Sequence, residues 1–267
     1  MTDLSVSVAI MHVPGSGRDA NVAETVRRLP PSWTVTVIED ALREGCWPTA
    51  KKAWQARTPD STHHLVLSDD AVLCDHFAEL LIGALNIHPG SVLSLCARNR
   101  QHTDTAVLER CSWILSDDTV YGQGIVIPSP LVEEMLLWVE RFVKPNYEHD
   151  DGRVGMWARA TRSGVYTPVP QLVRHMEGPS LMGHPMARGL GTPLFAADRR
   201  DVNWDTTFLR VEGTLFGGRG LKADAPEELR TRLSAPKEVP KDGQLEALRE
   251  RFQAAKAKAQ AAAAKPS

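Results

Sequence analysis

Short apolar runs alternate with helical patterns along the first two-thirds of the chain, and this alternation constrains the fold most. Val6 to Val13 is a β-branched run of strand length that Pro14-Gly15-Ser16-Gly17 ends, and helical spacing follows from Asn21 to Leu29. The pattern continues with predicted strands at 33–38, 64–67, 91–96, 121–128 and 165–173 and predicted helices at 48–54, 74–85, 131–142 and 151–162. Such alternation predicts an α/β fold with a mainly parallel, twisted, Rossmann-like sheet and helices on both faces.

The pattern weakens towards the C-terminus and divides the chain into three predicted regions. Residues 1–195 carry the α/β pattern. Residues 196–242 are an extension on the lid or acceptor side and a linker, rich in Arg, Gly and Asp at first and in proline and charge from Lys222 to Asp242. Residues 243–267 are rich in Ala, Lys and Glu and predict a helical tail, whose apolar stripe is Leu245, Leu248, Phe252 and Ala255. A tail of this kind packs on the body of the protein or forms a homo-oligomer.

Composition excludes several classes of protein. The net charge of −2 gives no global attraction to nucleic acid or to an anionic membrane. The four cysteines show no paired metal-ligand spacing, which favours a reduced, cytoplasmic protein over a disulfide framework. No apolar run approaches the roughly 18 residues that a membrane helix needs. We therefore expect a protein without a membrane span, located in the cytoplasm, or in the host cytoplasm if a phage encodes it.

An acidic pair ends the third predicted strand, in Leu65-Val66-Leu67-Ser68-Asp69-Asp70. Ligands of open α/β sheets gather beyond the carboxyl ends of the strands, so polar residues there carry functional weight. Two carboxylates can hold a divalent cation whose shell is completed by water and phosphate oxygens. A helix N-cap followed by a surface acid is an equally common explanation of such a pair.

Three later segments place glycines or polar residues at the ends of elements. Tyr121-Gly122-Gln123-Gly124 lies beside a strand, where glycine permits either close approach of a ligand or a simple bulge. Glu148-His149-Asp150-Asp151 precedes a helix, where a carboxylate can accept a proton or cap the helix. Val173-Arg174-His175 ends a strand, and its histidine is either a third metal ligand or a structural residue.

Together these segments resemble the nucleotide-sugar glycosyltransferases with the GT-A fold, and most closely their small bacterial and phage-borne members. The similarity runs from the first strand to about Gly183. Its most telling parts are Gly45-Cys46-Trp47-Pro48-Thr49-Ala50-Lys51, His63-His64-Leu65-Val66-Leu67-Ser68-Asp69-Asp70, the pair Asp150-Asp151, and His175 with Pro179-Ser180-Leu181. The resemblance implies that residues 1–195 form a GT-A-like catalytic domain and that the chain is a hexosyltransferase-like enzyme.

The resemblance also implies a division of labour among the acidic residues. Asp70 is the expected ligand of Mn²⁺ or Mg²⁺, and Asp69 is expected to contact the ribose or sugar of the donor. The family motif is often Asp-x-Asp, and here Ser68 stands at its first position, so His175 gains weight as an added ligand. Asp151 is the expected catalytic base, with Asp150 as its neighbour or substitute.

The same resemblance places the donor, for which a UDP-sugar is favoured. The ends of the first two strands hold the nucleotide in this fold, which points to Val13, Pro14 and Arg18 and to Asp40 as a partner of the base. Gly124 is expected beside the donor sugar. Lys51 is the expected basic contact near the nucleotide, although the Lys51-Lys52 pair also suits a solvated helix face.

The expected reaction is an inverting transfer of the sugar to an acceptor hydroxyl. Arg199, Arg200, Arg210 and Arg219 could form a lid or an acceptor groove, and with Lys256, Lys258 and Lys265 of the tail they could contact DNA phosphates. A solvated loop and a packed helix explain the same residues. A modified base in phage DNA, a protein and a glycan all stay open as acceptors.

Two other classes remain open at this point. A nucleotidyltransferase also uses carboxylates with Mg²⁺, but it requires a basic, glycine-rich phosphate loop, which Pro14-Gly15-Ser16-Gly17-Arg18 matches only faintly. A non-catalytic module that binds a nucleotide or a partner on the same fold is favoured by Ser68 in place of an acid.

Overall fold

A computed structural model of the protein describes residues 4–176, 181, 195–196, 202, 204–211 and 220–234. Its strands are β1 (Val6–His12), β2 (Thr34–Glu39), β3 (His63–Ser68), β4 (Ala71–Leu73), β5 (Val92–Ser94), β6 (Trp113–Ser116), β7 (Gly124–Pro128), β8 (Val165–Pro168), β9 (Val173–His175) and β10 (Phe208–Arg210). Its helices are α1 (Asp19–Arg28), α2 (Cys46–Gln55), α3 (Phe77–Ile87), α4 (Arg100–Leu108), α5 (Ser129–Phe142), α6 (Asp150–Thr161) and α7 (Glu227–Ser234).

Eight strands form one sheet in the order β10-β6-β8-β5-β7-β3-β1-β2, and β4 pairs with β9 in a second, two-stranded sheet. β1 runs parallel to β2 and to β3, and β5 runs parallel to β8. β7 lies antiparallel between β3 and β5, and β6 lies antiparallel to β8. The predicted α/β class is confirmed, and the sheet is mixed. The sequence does not predict strand direction, because a buried strand is a short apolar run whether it is parallel or antiparallel to its neighbour.

The sheet buries apolar side chains on both of its faces. Along β1, Val8 and Ile10 belong to one core while Ala9, between them, belongs to the other. Helices α1 and α3 contribute to the first core, and α2, α5 and α6 contribute to the second. Because side chains of a strand alternate between faces, this division confirms the predicted helical cover on both sides.

Several predicted elements have different bounds in the structure. The stretch 165–173, predicted as one strand, is split into β8 and β9, which belong to different sheets and flank a cis Val169–Pro170 bond. The helix predicted from 74 to 85 begins later, at Phe77, because a turn follows β4 and ends at His76 in a left-handed conformation with φ 57°. Helix α4 and strand β6 were not predicted. Only two residues of α4 are buried, Thr103 and Ala106, so it shows little amphipathic period.

Two elements lie in the stretch predicted as extension and linker. β10 extends the main sheet in parallel with β6, and α7 packs beside α6, where Arg232 donates to the carbonyl of Ala160 at 2.8 Å. The predicted C-terminal helix and its lysines lie outside the described residues, so the three-region division stays a prediction. Within the described ranges, every helix is too short or too polar to cross a bilayer.

Candidate functional site

The carboxyl ends of the three neighbouring parallel strands β1, β2 and β3 meet at one edge of the sheet, beside a cavity of about 610 Å³. His12, Asp40 and Asp69 stand at these three strand ends and line the cavity. β7, which is antiparallel to β3, starts at the same edge, so Gly122 and Gln123 also face the cavity. Its other polar lining residues are Arg18, Arg43, Cys46, Thr49, Ser68, Asp70, Arg98, His149, Asp150, Asp151 and His175.

A buried arginine bridges the acidic pair. Arg18 Nη1 lies 2.5 Å from Asp69 Oδ1 and 3.1 Å from Asp70 Oδ2. Arg18 stands at the start of α1, immediately after the turn that Gly15 and Gly17 form with positive φ angles. All three charged side chains are largely buried, with relative exposures of 9% for Arg18, 6% for Asp69 and 12% for Asp70. A charge-assisted contact in such an enclosed place is stronger than one at the surface.

The remaining oxygen of Asp69 is also taken. Its Oδ2 accepts from the backbone N–H of Val13 at 3.1 Å and lies 3.3 Å from His12 Nδ1. Asn21 of α1 donates to the carbonyl of Asp69 at 2.8 Å. Asp69 therefore ties β3 to the end of β1 and to α1, and the predicted donor contact would share carboxylate oxygens that already accept these hydrogen bonds.

Asp70 pairs with His175 across the small second sheet. Ala71 of β4 is in register with His175 of β9, and this register brings His175 Nε2 to 3.2 Å from Asp70 Oδ2. Asp70 Oδ1 accepts from the hydroxyl of Ser68 at 2.5 Å. Burial raises the pKa of Asp70, but the hydrogen bond from His175 and the Ser68 and Arg18 contacts outweigh it, so the net shift is downwards. The contact with Asp70 raises the pKa of His175.

Asp70 and His175 could supply two ligands to a divalent cation, which makes them a partial site that Arg18 also contacts. His175 Nδ1 contacts the carbonyl of Met176, which orients the ring with Nε2 directed at Asp70. A separation of 3.2 Å between the two atoms suits adjacent ligands of one ion. No group of three His, Cys, Asp or Glu side chains able to hold a metal occurs in the described part of the chain. Further oxygens must therefore come from substrate and water.

Asp150 and Asp151 begin α6 on another wall of the cavity. Burial, followed by the like charge of Asp150, raises the pKa of Asp151 to about 7. Burial likewise raises the pKa of Asp150, which accepts from the thiol of Cys46 at 3.1 Å. Gly122 lies against the pair, since a Cβ there would stand 3.6 Å from Asp150 Oδ1. A carboxyl group that titrates near neutral pH suits general acid–base catalysis.

Arg98 adds a positive charge between the two acidic sets. It follows β5 in the chain, lines the cavity and lies over the ring of Tyr121, 5.9 Å from its centroid. Its charge lowers the pKa of both Asp151 and His175, so it is within electrostatic reach of each. Arg98 was not singled out from the sequence, because a lone arginine after a short strand carries no motif.

Asp40 lines the cavity but serves mainly to order the loop that follows β2. Its Oδ1 accepts from the N–H of Glu44 at 2.6 Å and its Oδ2 from the N–H of Gly45 at 3.2 Å. This loop carries Arg43 into the cavity wall in a left-handed conformation with φ 53°. The predicted contact between Asp40 and a nucleotide base would have to share oxygens that the backbone already occupies.

Three predicted residues lie away from the cavity lining. Lys51 forms an ion pair with Glu140 of α5, because its helix face points at that neighbour. Gly124 is packed in the core, where an added Cβ would stand 3.2 Å from Val173 Cγ2 and 3.3 Å from Leu67 Cδ2. Pro14 belongs to the turn after β1, of which only Val13 lines the cavity. The other seven predicted site residues do line it, together with Leu181 from the predicted Pro179-Ser180-Leu181 segment, whose first two residues lie outside the described ranges.

Comparisons with known proteins give structural likenesses only. No family model and no curated protein sequence matches the chain. One similar solved structure is a mannosyltransferase, PcManGT from Pyrobaculum calidifontis in complex with GDP-Man and Mn²⁺, with 13% identity, a TM-score of 0.46 and coverage of 62% of this chain and 55% of that one. S. aureus TarS 1-349 gives 8% identity, a TM-score of 0.43 and coverage of 64% and 59%. Mouse xyloside xylosyltransferase 1, in its apo form, gives 11% identity, a TM-score of 0.29 and coverage of 52% of this chain and 74% of that one.

The chain thus spans little more than half the length of the first two structures. Two of the three structures are named as a mannosyltransferase and a xylosyltransferase. Every TM-score is below 0.5, and the proposed function rests on the cavity.

Proposed function

We propose that the protein is a glycosyltransferase that moves a sugar from a nucleoside diphosphate to an acceptor hydroxyl. One observation carries the proposal. A single cavity at the carboxyl ends of the parallel strands holds both an open metal pair, Asp70 with His175, and a carboxyl group whose pKa is raised to about 7, Asp151. A leaving diphosphate needs positive charge and an attacking hydroxyl needs a base, and these two needs are met from different walls of one space.

Asp70 and His175 would hold Mn²⁺ or Mg²⁺, and the bound ion would offset negative charge on the departing diphosphate. Arg98 supports the same end of the reaction, because its guanidinium lies within electrostatic reach of His175 and can donate to phosphate oxygens. The loop that Asp40 orders, with Arg43, flanks the place for the nucleotide. A UDP-sugar is the favoured donor.

Asp151 acts as the base in a single displacement. Its carboxylate accepts the proton of the acceptor hydroxyl while the acceptor oxygen bonds to the anomeric carbon. The bond from that carbon to the diphosphate oxygen breaks, and the nucleoside diphosphate leaves with the electron pair. Burial and then the like charge of Asp150 keep the pKa of Asp151 high, and the thiol of Cys46 donates to Asp150. Gly122, which has no side chain, leaves room for Asp150. This course inverts the configuration at the sugar.

Three classes of acceptor carry a hydroxyl that suits this reaction: a modified base in phage DNA, a protein and a glycan. Of the arginines proposed for an acceptor groove, Arg210 lies in edge strand β10, where its guanidinium carbon is 4.7 Å from the ring centroid of Phe208. The others lie outside the described residues, so this groove rests on the sequence.

A nucleotide panel tests the proposal directly. We expect UDP, or another nucleoside diphosphate, to raise the melting temperature in the presence of Mn²⁺, since a ligand that binds only the folded state stabilises it. Each sugar conjugate of that nucleotide is then tested for release of the diphosphate, with hydroxylated DNA, peptide and glycan acceptors. The Asp151→Asn protein is the matched control, since it should still bind the nucleotide and lose turnover.

Two results would reject the transferase. Binding of a nucleotide without turnover of any sugar conjugate would point to the non-catalytic module. Transfer of a nucleotidyl group with release of pyrophosphate would point to a nucleotidyltransferase.

A further inference from the structure

Arg18 occupies the place where the acidic pair would meet a metal ion. Its Nη1 contacts Asp69 Oδ1 at 2.5 Å and the same Asp70 oxygen, Oδ2, that faces His175. The side chain is not a mobile surface group, since Arg18 has only 7% of its surface exposed. It immediately precedes α1, and Asn21 in the first turn of that helix donates to the carbonyls of Asp69 and Ala71. Arg18 is therefore built into the acidic segment.

In this position the guanidinium of Arg18 would compete with a metal ion for the same oxygen of Asp70. A metal ion bonded to Asp70 Oδ2 would stand about 2.1 Å from that oxygen, while the guanidinium nitrogen already lies 3.1 Å from it. The two positive charges repel strongly where little water screens them. Asp69 is less available than Asp70 as a second carboxylate ligand, because Arg18 contacts its Oδ1 and His12 and the N–H of Val13 contact its Oδ2.

We propose that Arg18 is an internal cation that competes with the divalent metal for Asp70 and so makes metal binding depend on the nucleotide. In the free protein the guanidinium of Arg18 pairs with Asp70, and the metal binds weakly. A nucleoside diphosphate brings negative oxygens that satisfy the metal and Arg18 together. The inference rests on the proposed function in one respect, namely that the anion is a nucleoside diphosphate.

The ligands around the site explain why a diphosphate would allow the metal ion and Arg18 to be bound side by side. Asp70 and His175 are two ligands, fewer than a hard divalent cation takes, so water fills the other positions until a diphosphate replaces part of it with charged oxygens. Arg98, from another wall of the cavity, adds a second positive charge for the same anion. By reciprocity, the factor by which the nucleotide strengthens metal binding equals the factor by which the metal strengthens nucleotide binding.

Direct Mn²⁺ titration tests the idea without any measurement of turnover. The free Mn²⁺ signal in electron paramagnetic resonance gives the affinity for wild type, Arg18→Gln and Arg27→Gln, each with and without UDP and GDP. Arg27 is the matched control, because it is also an α1 arginine but pairs only with exposed Glu24. We expect Arg18→Gln to bind Mn²⁺ about tenfold or more tightly without nucleotide, within the range seen for changes around metal ligands. Arg27→Gln should behave as wild type.

A second change assigns the gain to the proposed ligands. Adding Asp70→Asn to the Arg18→Gln protein should abolish the new affinity. If Arg18→Gln bound Mn²⁺ no more tightly than wild type, the competition would be refuted. Circular dichroism melting checks that the variant folds. If it does not, wild type alone decides, because equal Mn²⁺ affinity with and without a nucleotide would overturn the proposal.

The test also separates this inference from the proposed function. Tighter Mn²⁺ binding by Arg18→Gln without turnover of any nucleotide sugar would support the competition and reject the transferase. Turnover by wild type together with an unchanged Mn²⁺ affinity in Arg18→Gln would support the transferase and reject the competition.

Discussion

Replacing Asp151 by asparagine separates the chemical role of this residue from its cost to stability. The amide keeps the shape of the side chain and can still accept the hydrogen bond that the N–H of Gly152 gives to Oδ1 at 2.7 Å. It cannot accept a proton from an acceptor hydroxyl. General acid–base catalysis contributes about 10²- to 10⁴-fold, so kcat should fall by that factor while nucleotide binding stays close to wild type.

The same change should stabilise the protein at neutral pH. The pKa of Asp151 is raised from 3.8 to about 7 in the folded state. Between these values the folded protein holds a proton that the unfolded chain has released, so stability falls as pH rises through this window. At about 1.4 kcal/mol per pKa unit, a shift of roughly three units costs at most about 4 kcal/mol above pH 7. Asparagine removes this cost but also the favourable charge at the start of α6, worth about 0.3–1 kcal/mol.

We therefore expect Asp151→Asn to gain about 1–3 kcal/mol of unfolding free energy at pH 8 and less at pH 5. Urea denaturation at the two pH values measures the difference, and steady-state kinetics measures the loss of turnover. A variant that is less stable than wild type at pH 8 would contradict the buried, raised carboxyl group. Activity within a factor of about three of wild type would remove Asp151 as the base, since a base contributes far more.

Three further predictions follow from other contacts. Asp150→Asn removes the like charge that helps raise the pKa of Asp151, so the acidic limb of the kcat/KM profile should move from near pH 7 to lower pH, and an unmoved limb would show that burial alone sets it. Arg98→Gln should move this limb upwards, because the Arg98 charge lowers the pKa of Asp151, and should raise KM for the donor about tenfold or more. No gain in KM would exclude Arg98 from the diphosphate site. Gly83→Ala would place a Cβ 2.9 Å from Cδ1 of Trp204, so we expect a loss of about 1–3 kcal/mol in chemical denaturation, and an unchanged midpoint would show that Trp204 shifts freely.

Strand and helix positions were largely predictable because they depend on local patterns. The runs that became β1, β2 and β3 are bounded by turn residues and helical spacing, and their polar ends pointed to the cavity edge. The acidic pairs were found for the same reason, since each closes or opens an element in the sequence. The split of 165–173 into β8 and β9 was missed, because a continuous apolar pattern does not reveal that its two halves pair in different sheets.

The cavity itself could be predicted only in part. Asp70, His175 and Asp151 carry visible motifs, whereas Arg98 and Cys46 gain their role from neighbours that are distant in the chain. The contact of Cys46 with Asp150 joins residues 104 positions apart. Gly124 was predicted beside the donor sugar, but in the structure the missing side chain leaves room for Val173 and Leu67 in the core.

The sequence by itself determined the α/β class, the order of the elements and the strand ends at which polar residues gather, because apolar period and turn chemistry are local properties. Tertiary structure alone decided the antiparallel course of β7 and the partner of each charge. Arg18 was expected at the nucleotide, and the fold places it between Asp69 and Asp70, 51 residues away from the former. Which cation an acidic pair meets depends on how α1 packs against the end of β3, and no spacing along the chain encodes that distance.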